Sequence, residues 1–111
     1  MNNKYYQALQ TIKTCIENID NYIGKTKEFE QYNSNLLLQQ AVERNLEIIG
    51  EATKRLLEIN PNIKISNTRS IINTRNKISH GYDEIENPQI WNIIINHLPT
   101  LYKEVKELLN N

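Results

Sequence analysis

An arginine, a histidine and a tyrosine fall within the run Arg75-Asn76-Lys77-Ile78-Ser79-His80-Gly81-Tyr82. Arginine is always charged, and its planar fork of donors matches phosphate oxygens. Histidine is the side chain best placed to move a proton near neutral pH. Held together beside a tyrosine, the two could carry out phosphodiester chemistry without a metal. The setting is cationic. No Asp or Glu occurs from Ile59 through Tyr82, a span that carries Lys64, Arg69, Arg75, Lys77 and His80. The chain as a whole has 13 Lys and Arg against 13 Asp and Glu. Bulk charge therefore does not draw it to nucleic acid, and any such contact must come from a local patch.

The elements that must position these residues read as helices. With 39% hydrophobic and 23% charged residues the composition is that of a globular protein. A chain of 111 residues fits one small helical domain spanning residues 1–111, with a modest core that pairing would help to stabilise. Gly and Pro number only three each, and each punctuates a helix. Tyr5, Leu9, Ile12, Ile16, Ile19 and Ile23 step by fours and threes, which predicts a helix from Asn3 to Ile23 closed by Gly24. Residues 25–34 read as a connector whose Phe29 and Tyr32 cover the core edge. A second helix is predicted from a cap at Ser34 or Asn35 to Ile59, ahead of Asn60-Pro61. Its apolar stripe is Leu38, Val42, Ile49, Ala52, Leu56 and Ile59. Arg44, Glu47, Glu51 and Arg55 form a charged stripe on another face. That stripe is either a solvated face with a Glu51–Arg55 pair or a source of partners for Arg75. Gly50 inside this helix suggests a close crossing with another helix, in the same chain or in a second subunit.

A third helix is predicted from Ser66 or Asn67 to Gly81. It sets Arg75 in an apolar stripe with Ile71, Ile78 and Tyr82. A charge in such a stripe needs a partner, a cleft, or a stem that packs while the head reaches water. Arg75 and His80 are about 140° apart on an ideal helix. Their convergence therefore needs arginine's length, a distorted last turn, or a second subunit. Asn87-Pro88 opens the last helix, with Trp91, Ile94, Leu98, Leu101, Val105 and Leu108 as its stripe. Pro99 should kink or split it. Trp91 reads as core or subunit interface, and His97 as structural or incidental.

Other groups carry less chemistry. The lone Cys15 sits beside an apolar face and reads as a small packing residue, and a single cysteine favours a reducing, cytoplasmic setting. Asp83, Glu84 and Glu86 could join His80 around a metal, but loop carboxylates before a helix N-terminus are usually solvated. No metal site and no cofactor are expected. No apolar run of membrane-spanning length and no signal peptide pattern is present. The sum is an all-α, antiparallel bundle of four to five helices.

The spacing of Arg75, His80 and Tyr82 closely resembles the R-x4-H-x-Y signature of the HEPN superfamily, and within it the HepT toxin family. The run from Arg44 to Ala52 resembles that family's second-helix pattern, and Trp91 with Leu98-Pro99-x-Leu101 its C-terminal helix. The likeness covers roughly Tyr5 to Leu109. It implies a homodimeric HEPN bundle acting as a metal-independent endoribonuclease toxin, with an MntA-like nucleotidyltransferase antitoxin as partner and possibly a higher oligomer with it. It also implies roles for single residues. Arg75 would stabilise charge on the phosphate, and His80 would act as general acid or base. Asn76 and Lys77 would contact the RNA backbone, with Glu47 and Glu51 in support. Tyr82 would receive AMP from the antitoxin, which silences the toxin by bulk and charge. Two other readings stay open. One is a catalytically inactive HEPN module that binds a nucleotidyltransferase or a nucleotide. The other is a purely structural helical dimer. The first is told from the nuclease by whether Arg75 and His80 face an open cleft or are consumed by internal ion pairs. The second predicts no basic cleft and no role for either residue beyond stability.

Overall fold

A computed structural model of the chain describes residues 3–80 and 85–110, and these form helices and connecting turns. The order is α1 (Asn3–Ile23), α2 (Phe29–Asn33), α3 (Leu36–Ile59), α4 (Thr68–Ser79), α5 (Asn87–Asn92), a π-helical turn (Ile93–His97) and α6 (Leu98–Leu109). The all-helical expectation holds. No described helix is long and apolar enough to cross a membrane.

The core forms where the apolar stripes of α1, α3 and α6 meet. Leu9, Ile12, Ile16 and Ile19 of α1 lie against Val42, Leu46, Ile49 and Leu56 of α3, closed by Leu98, Leu101 and Val105 of α6. Each such side chain, fully buried, contributes about 1.5–3 kcal/mol. Two polar residues share this core. Asn45 donates to Ala41 O at 2.9 Å and accepts from Asn18 at 3.3 Å. Thr53 donates to Ile49 O at 2.8 Å. Both are hydrogen-bonded, so their burial is tolerated. Cys15 is buried among these residues and burial raises its thiol pKa, which fits a packing residue.

The ends of the helices follow local chemistry. Gly24 takes φ +79°, the left-handed turn expected after α1. Asn35 caps α3, its side chain accepting from Leu38 N at 3.0 Å. The connector contains one short helix, α2. Its Tyr32 is fully buried, and Trp91 meets Tyr32 at a tilt and Phe29 edge-on, at 5.6 and 5.9 Å between ring centroids. Trp91 is thus part of an aromatic seal on the core. The last helix opens one residue earlier than its Asn-Pro pair suggests: Glu86 is the cap, and its N–H donates to Gln89 Oε1 at 2.8 Å. Pro99 divides the C-terminal segment as expected. It cannot donate to the fourth carbonyl back, and Leu98 N–H reaches Ile93 O, closing a π turn just before it.

α4 stands apart from this core. It packs chiefly on α3 and has no buried residue. Its start departs from the expected cap. Asn67 takes φ +59° and makes no side-chain cap bond. Ser66 instead gives both N–H and Oγ to the Glu104 carboxylate of α6, the hydroxyl at 2.6 Å. Gly50 explains how α4 is held. A methyl group built on Gly50 would collide with Cβ of Arg75 and come within 2.8 Å of its Cγ. The close crossing anticipated from this glycine is therefore made within the chain, by α3 and α4.

Gly50→Ala tests that crossing. Alanine would gain about 1 kcal/mol of helix propensity. The overlap involves a Cβ, which cannot swing away, so α4 must shift, at a cost of about 1–3 kcal/mol. We expect the overlap to win and the melting temperature to fall by several degrees. A rise in melting temperature would show that the two helices do not approach this closely.

Candidate active site

The sequence places Arg75 in an apolar stripe, and the structure shows what the stripe is for. Ile71, Arg75 and Ile78 are half-buried on the side of α4 that faces α3. The Arg75 stem lies over Gly50, and its head reaches the next residue of α3. There Nη2 meets Glu51 Oε1 at 3.3 Å, and Nη1 donates to Asn76 Oδ1 at 3.0 Å. Glu51 therefore supports Arg75, as the second reading of the charged stripe requires. Glu47 accepts from Ser79 Oγ at 2.7 Å. Together these pairs give the direction of the helices: 51 lies opposite 75 and 47 opposite 79, so α4 runs antiparallel to α3.

Glu47 and Glu51 belong to a longer row. Glu43 precedes them by one turn, half-buried, and its carboxyl pKa is raised by burial and then by the charge of Glu47. The spacing 43, 47, 51 is legible in the sequence as an i, i+4, i+8 acidic row, and Glu43 and Ser79 are the members that sequence reasoning missed.

Two features of Arg75 set the chemistry. First, its Nε–H is buried without an acceptor among the described residues. An orphaned buried donor costs about 1–3 kcal/mol, so the position is not optimised for stability. Second, the ion pair is weak. The side chains of Arg75 and Glu51 keep 33% and 43% of their exposure. Pairs this exposed are worth about 0–1 kcal/mol. A phosphate could take the guanidinium from Glu51 at small cost.

His80 stands at the C-terminal end of α4, exposed, with its N–H on Asn76 O at 3.1 Å. The structure thus brings Arg75, Asn76 and Glu51 into direct contact and seats Glu47 beside them. Lys77 is exposed and lines a groove on a different side of α4. Tyr82 lies outside the described residues, as do Gly81 and its expected turn, and Asp83 and Glu84 of the metal alternative. Among the described residues, no three His, Cys, Asp or Glu side chains come together around a metal site.

Comparison with known proteins agrees with this architecture. The family model described as "Ribonuclease HepT-like" matches residues 12–108. A protein of Methanocaldococcus jannaschii named as a candidate RNase is 34% identical over 100 residues, which cover 86% of this chain and 82% of the relative. Another so named, from Caldanaerobacter subterraneus subsp. tengcongensis, is 34% identical over 102 residues, 91% of this chain and 87% of its own. No solved structure matches the chain. The chain belongs to the HepT-like ribonuclease family, of the HEPN superfamily.

A double-mutant cycle of Arg75→Ala and Glu51→Ala in thermal or urea unfolding should give a coupling energy below about 1 kcal/mol. A coupling of about 3 kcal/mol would mean that the arginine is committed to an internal pair and unavailable to a ligand.

Proposed function

We propose that this protein is a metal-independent endoribonuclease toxin, with Arg75 and His80 at the cleavage site. The observation that carries the reading is the Arg75 guanidinium, held by its stem over Gly50, with only weak partners for its head among the described residues. Its membership of a ribonuclease family points the same way.

RNA supplies the nucleophile. The 2′-oxygen attacks the adjacent phosphorus, its proton passes to a base, and the bond to the 5′-oxygen breaks as that oxygen takes a proton from an acid. A 2′,3′-cyclic phosphate and a 5′-hydroxyl result. Arg75 faces the charge that builds on the non-bridging oxygens, an effect worth several kcal/mol in other enzymes. His80 serves as base or acid, worth roughly 10²–10⁴-fold. One motif histidine per chain fills one of the two proton-transfer roles. A homodimer that sets two motifs into one composite cleft supplies the other, and also meets the geometric demand left by the 140° between Arg75 and His80. Asn76 supports Arg75 in this scheme, and Lys77 holds RNA backbone. The setting is cytoplasmic, and the partner is a nucleotidyltransferase antitoxin of the MntA kind, which transfers AMP to Tyr82. The adduct would lay negative charge and bulk beside the cationic motif and exclude RNA.

Arg75→Ala and His80→Ala should each reduce cleavage of single-stranded RNA by at least about 10²-fold. The parent should stay active in EDTA and scatter light as a dimer. Loss of the Arg75 stem, which packs over Gly50, should lower the melting temperature. A folded His80→Ala protein that cuts at the parental rate removes His80 from the mechanism. Activity lost in EDTA and regained with a divalent ion refutes the metal-independent scheme, and a purely monomeric mass refutes the composite cleft.

Tyr82→Phe keeps the ring and deletes the acceptor oxygen. We expect a nuclease that stays active and gains no AMP from the antitoxin and ATP. An AMP mass adduct on Tyr82→Phe would place the modification on another residue.

A further inference from the structure

α4 carries a second row of groups, of which only Lys77 enters the cleavage scheme above. Arg69, Asn73 and Lys77 are exposed, step along the helix at i, i+4 and i+8, and line one wall of a groove of about 820 Å³. The row spans about 12 Å along the helix axis. α5, the π turn and α6 form the opposite wall, and Leu46 and Ile49 of α3 contribute apolar lining.

That opposite wall owes its chemistry to the π turn. Residues 92 and 97 would be about 140° apart on a regular helix. The wider turn brings them to one side, with Asn92 Nδ2 3.4 Å from His97 Nε2. Both line the groove, so His97, incidental on a straight helix, becomes an oriented hydrogen-bonding group there. Ile71, Ile93 and Leu98 add to the apolar lining.

Three observations together indicate the occupant. The volume falls within the range of small-molecule sites. Among the described residues that line the groove there is no Asp or Glu, although the chain has as many acids as bases. Its two cations, Arg69 and Lys77, flank Asn73 along one wall, while apolar side chains and an amide–imidazole pair lie opposite. Two cations with an amide between them suit a phosphodiester backbone, and apolar lining with adjacent hydrogen-bonding groups suits a base.

We propose that this groove is a single-stranded RNA subsite that holds a nucleotide flanking the bond cleaved at Arg75 and His80. The backbone runs along Arg69, Asn73 and Lys77. The base lies against Ile71 and Ile93, with its edge toward Asn92 and His97. Lys77 lies in the motif run and on the groove wall, so it links the subsite to the cleavage site across α4. The inference rests on the ribonuclease reading for its substrate.

The test measures binding apart from cleavage, with a fluorescent single-stranded 2′-O-methyl RNA that lacks the nucleophilic hydroxyl. Arg69→Ala should weaken binding about 5–10-fold and reduce the slope of log K against log salt by about 0.7, the value of one single-strand phosphate contact. Arg69→Lys should restore the slope. His97→Ala should weaken binding about 3-fold and leave the slope unchanged. Both positions of change are exposed, and matched melting curves check the fold. Parental affinity and slope in both Arg69→Ala and Arg69→Glu would overturn the proposal. So would an Arg69→Glu protein with parental RNA affinity but altered mass in light scattering, since the groove would then be a contact between copies. If RNA binding depends on Arg69 but the parent cuts no RNA, the groove stands and the nuclease reading fails. If the parent cuts RNA while Arg69→Ala matches it in affinity and KM, the nuclease reading stands and the groove fails.

Discussion

The close approach of Arg75 to Gly50 is the contact on which the functional face of this protein depends. α4 buries none of its residues and leans chiefly on α3. Elsewhere in the fold, helices are held by interlocking apolar stripes. Here the missing side chain at Gly50 lets the α4 stem atoms sit almost on the α3 backbone. That approach sets the register between the helices, and the register decides which acid meets which motif residue. With Arg75 opposite Gly50, Glu51 reaches the guanidinium and Glu47 reaches Ser79. A slip of one turn would pair the acidic row with other residues.

The energetics of the site suit an arginine that changes partners. Its stem is held by packing, which costs little to keep. Its head is held by a half-exposed carboxylate and a neighbouring amide, which release it cheaply. A stronger internal pair would stabilise the helix contact and disable the group.

The rest of the molecule supplies a firm base for that mobile chemistry. α1, α3 and α6 carry most of the buried apolar side chains, and the aromatic seal of Phe29, Tyr32 and Trp91 closes one edge. Glu104 of α6 takes both donors of Ser66 and so ties the start of α4 to the core. The π turn at Ile93–His97 reshapes the wall that faces α4. A proline that merely interrupts a helix would be a cost. In this chain the interruption reorients Asn92 and His97 toward one groove.

Much of this was legible before any coordinates. The three-four spacing of apolar residues gave α1, α3 and α6 because helical periodicity and burial leave the same signature. Gly24, Asn35 and Pro99 announced helix ends and the break because their backbone chemistry is local. Arg75 and His80 stood out by residue type and spacing, and Glu51 by its place on a charged stripe. Other features depend on which helices meet. Nothing local says that Gly50 faces Arg75 rather than a second subunit, that Ser66 serves Glu104 instead of capping α4, or that Asn45 and Thr53 find buried partners. The groove lined by Arg69 and His97 joins residues far apart in the chain, and it also needs a π turn that breaks the regular helical wheel. Periodicity along a chain determines the face of each helix. Only packing in three dimensions decides what that face meets.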